Sequence, residues 1–204
     1  SAKALQDTLK GSLQKDANGA VVVSGIGNKV DSSHGVSVLG SKNIVNATDN
    51  IQLLGDNREV KKASGSVIIG SADSKMTTSV TNATILGHNA NVEKAGGVAL
   101  GAGSVASREA GVVCYDPATK EASEDTSATW KATDAAVSVG KSDAAMTRQI
   151  TGVAAGTQAT DAVNVAQLQK ALAGAKDGND TLKSSTDALK LDGNKLSMNI
   201  QDTA

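Results

Sequence analysis

The sequence predicts a mainly β fold of stacked short repeats that hands over to a coiled-coil helix. Three observations carry this. First, the 204 residues hold no Phe, one Trp and one Tyr, against 21 Gly. A core without aromatic rings has to be thin and filled by small aliphatic side chains, which stacked repeats supply. Second, an aliphatic residue precedes a glycine again and again between residues 21 and 108, with the glycines 13, 15, 15, 17 and 14 residues apart. Third, Val165, Leu168, Leu172 and Ala175 follow one another at steps of three, four and three, the seam of a coiled coil.

Composition narrows the function classes. Twenty basic residues balance 21 acidic ones, and no basic block suggests nucleic acid or a membrane surface. No apolar run approaches the roughly 18 residues that span a bilayer. Ser1 to Ala20 has no signal-peptide core, so for an exported protein the export signal and anchor are expected elsewhere. The single Cys114 excludes an intrachain disulfide framework, and a buried, inert thiol is expected there. Disorder, the other reading of scarce aromatics, conflicts with the regular Val/Ile/Leu runs.

Residues 1–20 have two readings. Ala2, Leu5, Leu9 and Leu13 have helical spacing, as at the end of a stalk, whereas the turn Asp16 to Gly19 before Val21 suits a hairpin. From residue 21 the units read SGIGNKV, SVLGSKNIV, QLLGDNREV, VIIGSADSKM, TILGHNANV and VALGAGSVA. Their marker pairs are Ile26-Gly27, Leu39-Gly40, Leu54-Gly55, Ile69-Gly70, Leu86-Gly87 and Leu100-Gly101. A second aliphatic follows in several units: Ile44, Val60, Val92 and Val105. Each unit is too short to bury its own apolar side, so stacking is required, and spacers of varying length become surface loops. The 17-residue gap implies a small insertion.

Residues 109–136 interrupt the repeat and hold the only Tyr, Pro and Trp: Tyr115, Pro117 and Trp130. They are expected either to touch a ligand as an exposed loop or to pin the insert against a neighbouring surface. The repeat resumes once, with Val139 before Gly140. In Thr147 to Gln169, Gly152 and Gly156 allow turns, and Thr160 and Asp161 offer N-cap oxygens to a starting helix. Gly174 and Gly178 are expected to end that helix near Ala173. Beyond residue 179, Leu189, Leu191, Leu196, Met198 and Ile200 alternate across the turn Asp192-Gly193, as in a β connector.

Catalytic patterns are absent from the sequence. His34 and His88 are 54 residues apart, and neither has a Cys or His at metal-ligand spacing. Gly25-Ile26-Gly27 and Gly101-Ala102-Gly103 lack the third glycine and later acid of a dinucleotide site, and no P-loop lysine follows a glycine run. Asp177-Gly178-Asn179-Asp180 matches part of a calcium loop without its distant Glu. No catalytic residue, cofactor or metal is expected. Two readings of such repeats remain at this point: a trimeric hexapeptide acyltransferase, which needs strict six-residue strides where these are near 14, and a purely mechanical fibre of a phage or cell surface.

The wording RQITGVAAGTQATDAVNVAQL (148–168) resembles, almost residue for residue, the neck of YadA-like trimeric autotransporter adhesins. The aliphatic-Gly repeats resemble the head repeats of the same family, whose usual form is SVAIG; SGIGNKV and QLLGDNREV depart from it. The resemblance implies a left-handed parallel β-roll head of three chains packed side by side. A neck then leads into a three-stranded α-helical coiled coil and a short β connector. The divisions are a lead-in at 1–20, a head at 21–146 with its insert at about 109–136, a neck at 147–169, and coiled coil and connector at 170–204.

It further implies a homotrimer on the bacterial surface, anchored in the outer membrane by a C-terminal region outside this sequence. Its partners would be host matrix, a host-cell receptor or a surface component of other bacteria, with no nucleic acid and no membrane contact within these residues. Carried over from the family, Arg148, Gln149, Ile150, Val163, Val165, Leu168 and Leu172 gather at the three-fold axis or bond across chains. Ligand contact is expected at loops such as Asp56-Asn57-Arg58-Glu59 and, in the insert, at Tyr115 and Trp130.

Overall fold

The computed structural model describes residues 21–188. The two readings of residues 1–20 and the connector beyond residue 188 lie outside the described residues. Residues up to Gln149 form one compact unit and those from Ile150 a second.

The first unit is a parallel β-solenoid. Strands β1 (Val21–Ser24), β3 (Val36–Leu39), β5 (Ile51–Leu54), β7 (Val67–Ile69), β9 (Thr84–Leu86), β11 (Val98–Leu100) and β15 (Val137–Ser138) form one sheet in that order. Strands β2 (Lys29–Asp31), β4 (Ile44–Asn46), β6 (Arg58–Lys61) and β8 (Met76–Thr78) form a second, and β10 (Asn91–Val92) pairs with β12 (Val105–Ala106). Every pairing between coils is parallel, and each coil adds one short strand to each side.

The core lies between the two sheets and is filled by small aliphatic side chains. Val23, Val38, Leu53, Ile68, Ile85 and Ala99 point inward from the first sheet, facing Val45, Val60, Thr78, Val92 and Ala106 from the second. No aromatic ring fits so thin an interior, which accounts for the composition.

The registers give a period of 15 at the start and correct its phase. Ser24 pairs with Leu39 and Val23 with Val38, so the first rung of the glycine column is Gly25, not Gly27. The column runs Gly25, Gly40, Gly55, Gly70, Gly87 and Gly101, all with φ between 97° and 152°. A Cβ at Gly55 would stand 2.6 Å from both the carbonyl carbon and oxygen of Gly70. Coils therefore stack backbone on backbone at this corner, and only glycine fits. Gly27 instead sits at a left-handed turn position (φ 72°) that Lys42 and Asn57 occupy at 60° in the next coils.

The 17-residue spacing also resolves. Arg58, three residues after Gly55, pairs with Met76, six after Gly70, so three extra residues enter at 71–75. One residue is dropped before Asn82, leaving the net two.

The insert leaves after β12 and returns at β15, which pairs with β11 (Val98 with Val137, Ala99 with Ser138). Within it, β13 (Tyr115–Asp116) and β14 (Glu121–Ala122) form a small antiparallel hairpin, tied at its base by a bridge between Val113 and Lys131.

The second unit is an irregular segment followed by α1 (Val165–Ala188). Two expectations are corrected here. The helix does not end near Ala173 but runs through Gly174 and Gly178, and residues 179–188 are helical rather than the start of a β connector. Two interior glycines cost about 1 kcal/mol each, which a 24-residue helix absorbs.

Candidate functional site: an exposed aliphatic ladder and a helical seam

The outer faces of the two sheets differ in kind. On the first, the residue before each column glycine points outward, and the registers stack Leu39, Leu54, Ile69, Leu86 and Leu100 in one row. Leu39, Leu54, Ile69 and Leu86 are 41–50% exposed. With strands about 4.8 Å apart, the row forms a continuous apolar stripe nearly 20 Å long. Val67 and Val137, in the neighbouring outward row, extend it.

The outer face of the second sheet is polar. Its rows stack Lys29, Ile44, Glu59 and Thr77, and Asp31, Asn46 and Lys61. A monomer gains nothing from a stripe of leucines in water, so the first face is built to be covered.

Loop residues proposed for ligand contact divide. Asp56 and Asn57 lie at the corner: Asp56 Oδ1 accepts the Ser41 N–H at 2.6 Å, and Asn57 Nδ2 donates to the Ala72 carbonyl at 2.7 Å. Arg58 and Glu59 are not loop residues at all. Both belong to β6, and Arg58 is wholly buried while Glu59 is 5% exposed. That corrects the expectation of a solvated, contact-ready loop.

Glu59 is covered by its neighbours. Its carboxylate takes Lys61 Nζ at 2.8 Å, the Thr77 hydroxyl at 2.6 Å and Lys75 Nζ at 3.4 Å. Bonds from Lys61 and then Thr77 hold its pKa at about 2, against the desolvation that would raise it.

In the insert, Tyr115 is 64% exposed and Trp130 partly buried. Trp130 borders a shallow cleft with Asp116, Glu121, Glu124 and Asp125. Cys114 is exposed, against the expectation of a buried thiol. The two histidines hold no metal-like set: His34 Nδ1 lies 3.0 Å from Asp49, and His88 Nε2 lies 3.2 Å from Asp73. Among the described residues no group of three or more His, Cys, Asp or Glu could hold a metal ion. Among them, no helix is long and apolar enough to cross a membrane.

Arg148 closes the last coil from within its own chain. Nη2 donates to the Ala102 carbonyl at 2.7 Å, and Nη1 donates to the Ser104 hydroxyl at 3.0 Å and to the Val139 carbonyl at 2.5 Å. Its guanidinium lies over Gly101, the last φ-positive glycine of the column.

Further along, the start of α1 is set by residues other than those anticipated. Asp161 accepts the N–H groups of Thr157 and Gln158, closing a loop before the helix. The N-cap is Asn164, whose Oδ1 accepts the Gln167 N–H at 2.9 Å while its Nδ2 donates to the Val153 carbonyl at 3.1 Å. The Gln167 side chain pairs with both backbone groups of Gly156, at 3.0 and 3.1 Å. An Asn with Gln three residues on is a helix-start signature that the sequence does carry.

On α1, Val165 (71% exposed), Leu168 (52%) and Leu172 (61%) share one face, and Ile150 and Val163 in the preceding segment are also exposed. This seam, like the ladder, has no partner within its own unit. Gln149 is exposed as well.

Residues 149–190 match the family described as the coiled stalk of trimeric autotransporter adhesin. A stretch of 77 residues, 38% of the chain, is 60% identical to the autotransporter adhesin BadA of Bartonella henselae. Over these stretches the chain is similar to YadA-like trimeric autotransporter adhesins. It spans only about 2% of the length of that relative, so it corresponds to a small part of such an adhesin. The C-terminal helix falls within the residues that match the coiled stalk.

Proposed function

We propose that three copies of this chain associate through the aliphatic ladder and the helical seam to form the head, neck and stalk start of a surface adhesin. Residues 21–146 form the head, 147–169 the neck, and the coiled coil continues from 170. The observation that carries this is the stacked row of half-exposed Leu39, Leu54, Ile69 and Leu86 on one face only. A three-fold arrangement covers that row in every copy and leaves the charged second sheet and the insert outward. Val165, Leu168 and Leu172, spaced for a coiled coil, take the same partners along the helix.

The role is attachment rather than catalysis, on the outer surface of a bacterium and held by an outer-membrane anchor. Partners are host matrix, host-cell receptors or surface components of other bacteria. Contacts would be weak singly, and three copies on each of many fibres would multiply them into avidity. The exposed Tyr115 and the half-buried Asp56, Asn57 and Trp130 are the residues offered for this; Arg58 and Glu59 serve the fold instead. A glycan and matrix-protein array probed with the protein, beside a version lacking residues 109–136, tests the reading. Binding that drops on removing the insert supports it, and binding to nothing on the array contradicts an adhesive role.

A further inference from the structure

We infer that Arg58 is a positioning residue that does the work of two missing asparagines. It holds the fourth and fifth rungs of the glycine column, and with them Ile69 and Leu86 of the exposed ladder.

The first coils show the rule that Arg58 replaces. Asn28 Nδ2 donates to the Gly40 carbonyl at 2.6 Å, and Asn43 Nδ2 to the Gly55 carbonyl at 2.8 Å. Asn28 Oδ1 accepts the Asn43 N–H at 3.0 Å, and Asn43 Oδ1 accepts the Arg58 N–H at 2.9 Å. Each asparagine thus ties its own coil to the glycine corner of the next and passes an acceptor to the residue stacked on it.

The following positions in that row are Arg58, Met76 and Ala90, and the last two have no strong donor. Arg58 covers the gap because its side chain is long enough to cross more than one coil. Nε donates to the Gly70 carbonyl at 2.8 Å, the bond an asparagine would make. Nη2 reaches the Gly87 carbonyl at 3.3 Å, the bond Met76 cannot make. Nη1 donates to the Ala90 carbonyl at 2.7 Å and lies 3.1 Å from Met76 Sδ.

The cation is wholly buried and held by carbonyl dipoles, with no carboxylate among its bonded partners. Arginine has no acceptor to pass on, and the Met76 N–H accordingly turns to the Asn57 carbonyl at 2.9 Å. Gly70 and Gly87 directly follow Ile69 and Leu86, so the guanidinium fixes those two outward side chains through their neighbours.

A coupled pair of substitutions in the full chain tests this. Arg58→Met keeps most of the volume and removes the donors; the melting temperature should fall by roughly 5–10 °C. Amide exchange at Gly87 and Asn89 should quicken at least tenfold more than at Gly40 and Gly55. Met76→Asn should gain nothing beside the native Arg58, whose Nη2 already takes the Gly87 carbonyl. In an Arg58→Asn background it should recover several degrees, because the asparagine row is restored. Wild-type melting for Arg58→Met, or an equal effect of Met76→Asn in both backgrounds, overturns the inference. The test reads folding of the coil and does not depend on whether the copies associate.

Discussion

Replacing Gly55 with alanine tests the packing of the coils at the glycine corner. The new Cβ would lie 2.6 Å from the carbonyl carbon and oxygen of Gly70 and 2.8 Å from the Ser71 nitrogen. These are all backbone atoms, which cannot swing aside as a side-chain tip can. The backbone at φ 148° is a conformation that L side chains rarely adopt, costing about 1–3 kcal/mol. Relief requires the coils to separate, which strains the bond from the Gly70 N–H to the Leu54 carbonyl (2.8 Å), worth about 1 kcal/mol net. The sum is about 2–4 kcal/mol, or a fall in melting temperature of roughly 5–15 °C for a unit of this size. Gly27→Ala is the internal control: its Cβ meets only Lys42 at 3.8 Å, and its turn position holds Lys42 and Asn57 elsewhere. That change should cost about 1–2 kcal/mol, the left-handed backbone penalty alone. Thermal unfolding followed by far-ultraviolet circular dichroism separates the two. Equal losses, or a larger loss at Gly27, would refute the register and the stacking argument with it.

Other expectations concern charge, capping and the seam. Glu59 has its pKa lowered from 4.5 to about 2 in the folded chain, so its stabilising contribution is present above pH 4.5 and is lost as pH falls toward 2. Melting temperatures between pH 6 and 2 should therefore converge for wild type and Glu59→Gln at the acid end; parallel curves would show that the carboxylate contributes nothing. Asn164→Ala removes the N-cap of α1 and should cost about 1 kcal/mol, read as lost helical signal and faster exchange at Gln167. Leu168→Asp or Leu54→Lys places a charge on the seam or the ladder; each should lower the melting temperature of the assembled protein, since an unpaired charge in a covered interface is costly. Unchanged stability for both would mean those faces stay wet.

Much of this fold was legible from residues 21–108, because a backbone stacked on itself demands a glycine once per coil and an aliphatic beside it. The phase of the first coil was harder. Gly25 and Gly27 flank the same isoleucine, and only the pairing of Ser24 with Leu39 decides between them. The aliphatics before the glycines were read correctly as repeat markers, but the residues that fill the core are those one position earlier, Val38, Leu53 and Ile68.

Arg58 was misread for a general reason: a charged residue in a polar run signals solvent. Nothing local announces that three buried carbonyls from later coils will gather around it. The exposed Cys114 follows from a hairpin that sequence spacing alone does not reveal. At the helix, Gly174 and Gly178 looked like stops because glycine propensity is low. Length outweighed them, whereas the Asn164 and Gln167 pair was an unread signal rather than a missing one.

The most direct measurement is the mass of the purified chain by light scattering with its β signal recorded in parallel. One chain is 20.4 kDa, so three copies give roughly 61 kDa by simple multiplication, and the account predicts that value. A stable 20.4 kDa species with full β signal and its row of leucines left in water would contradict it.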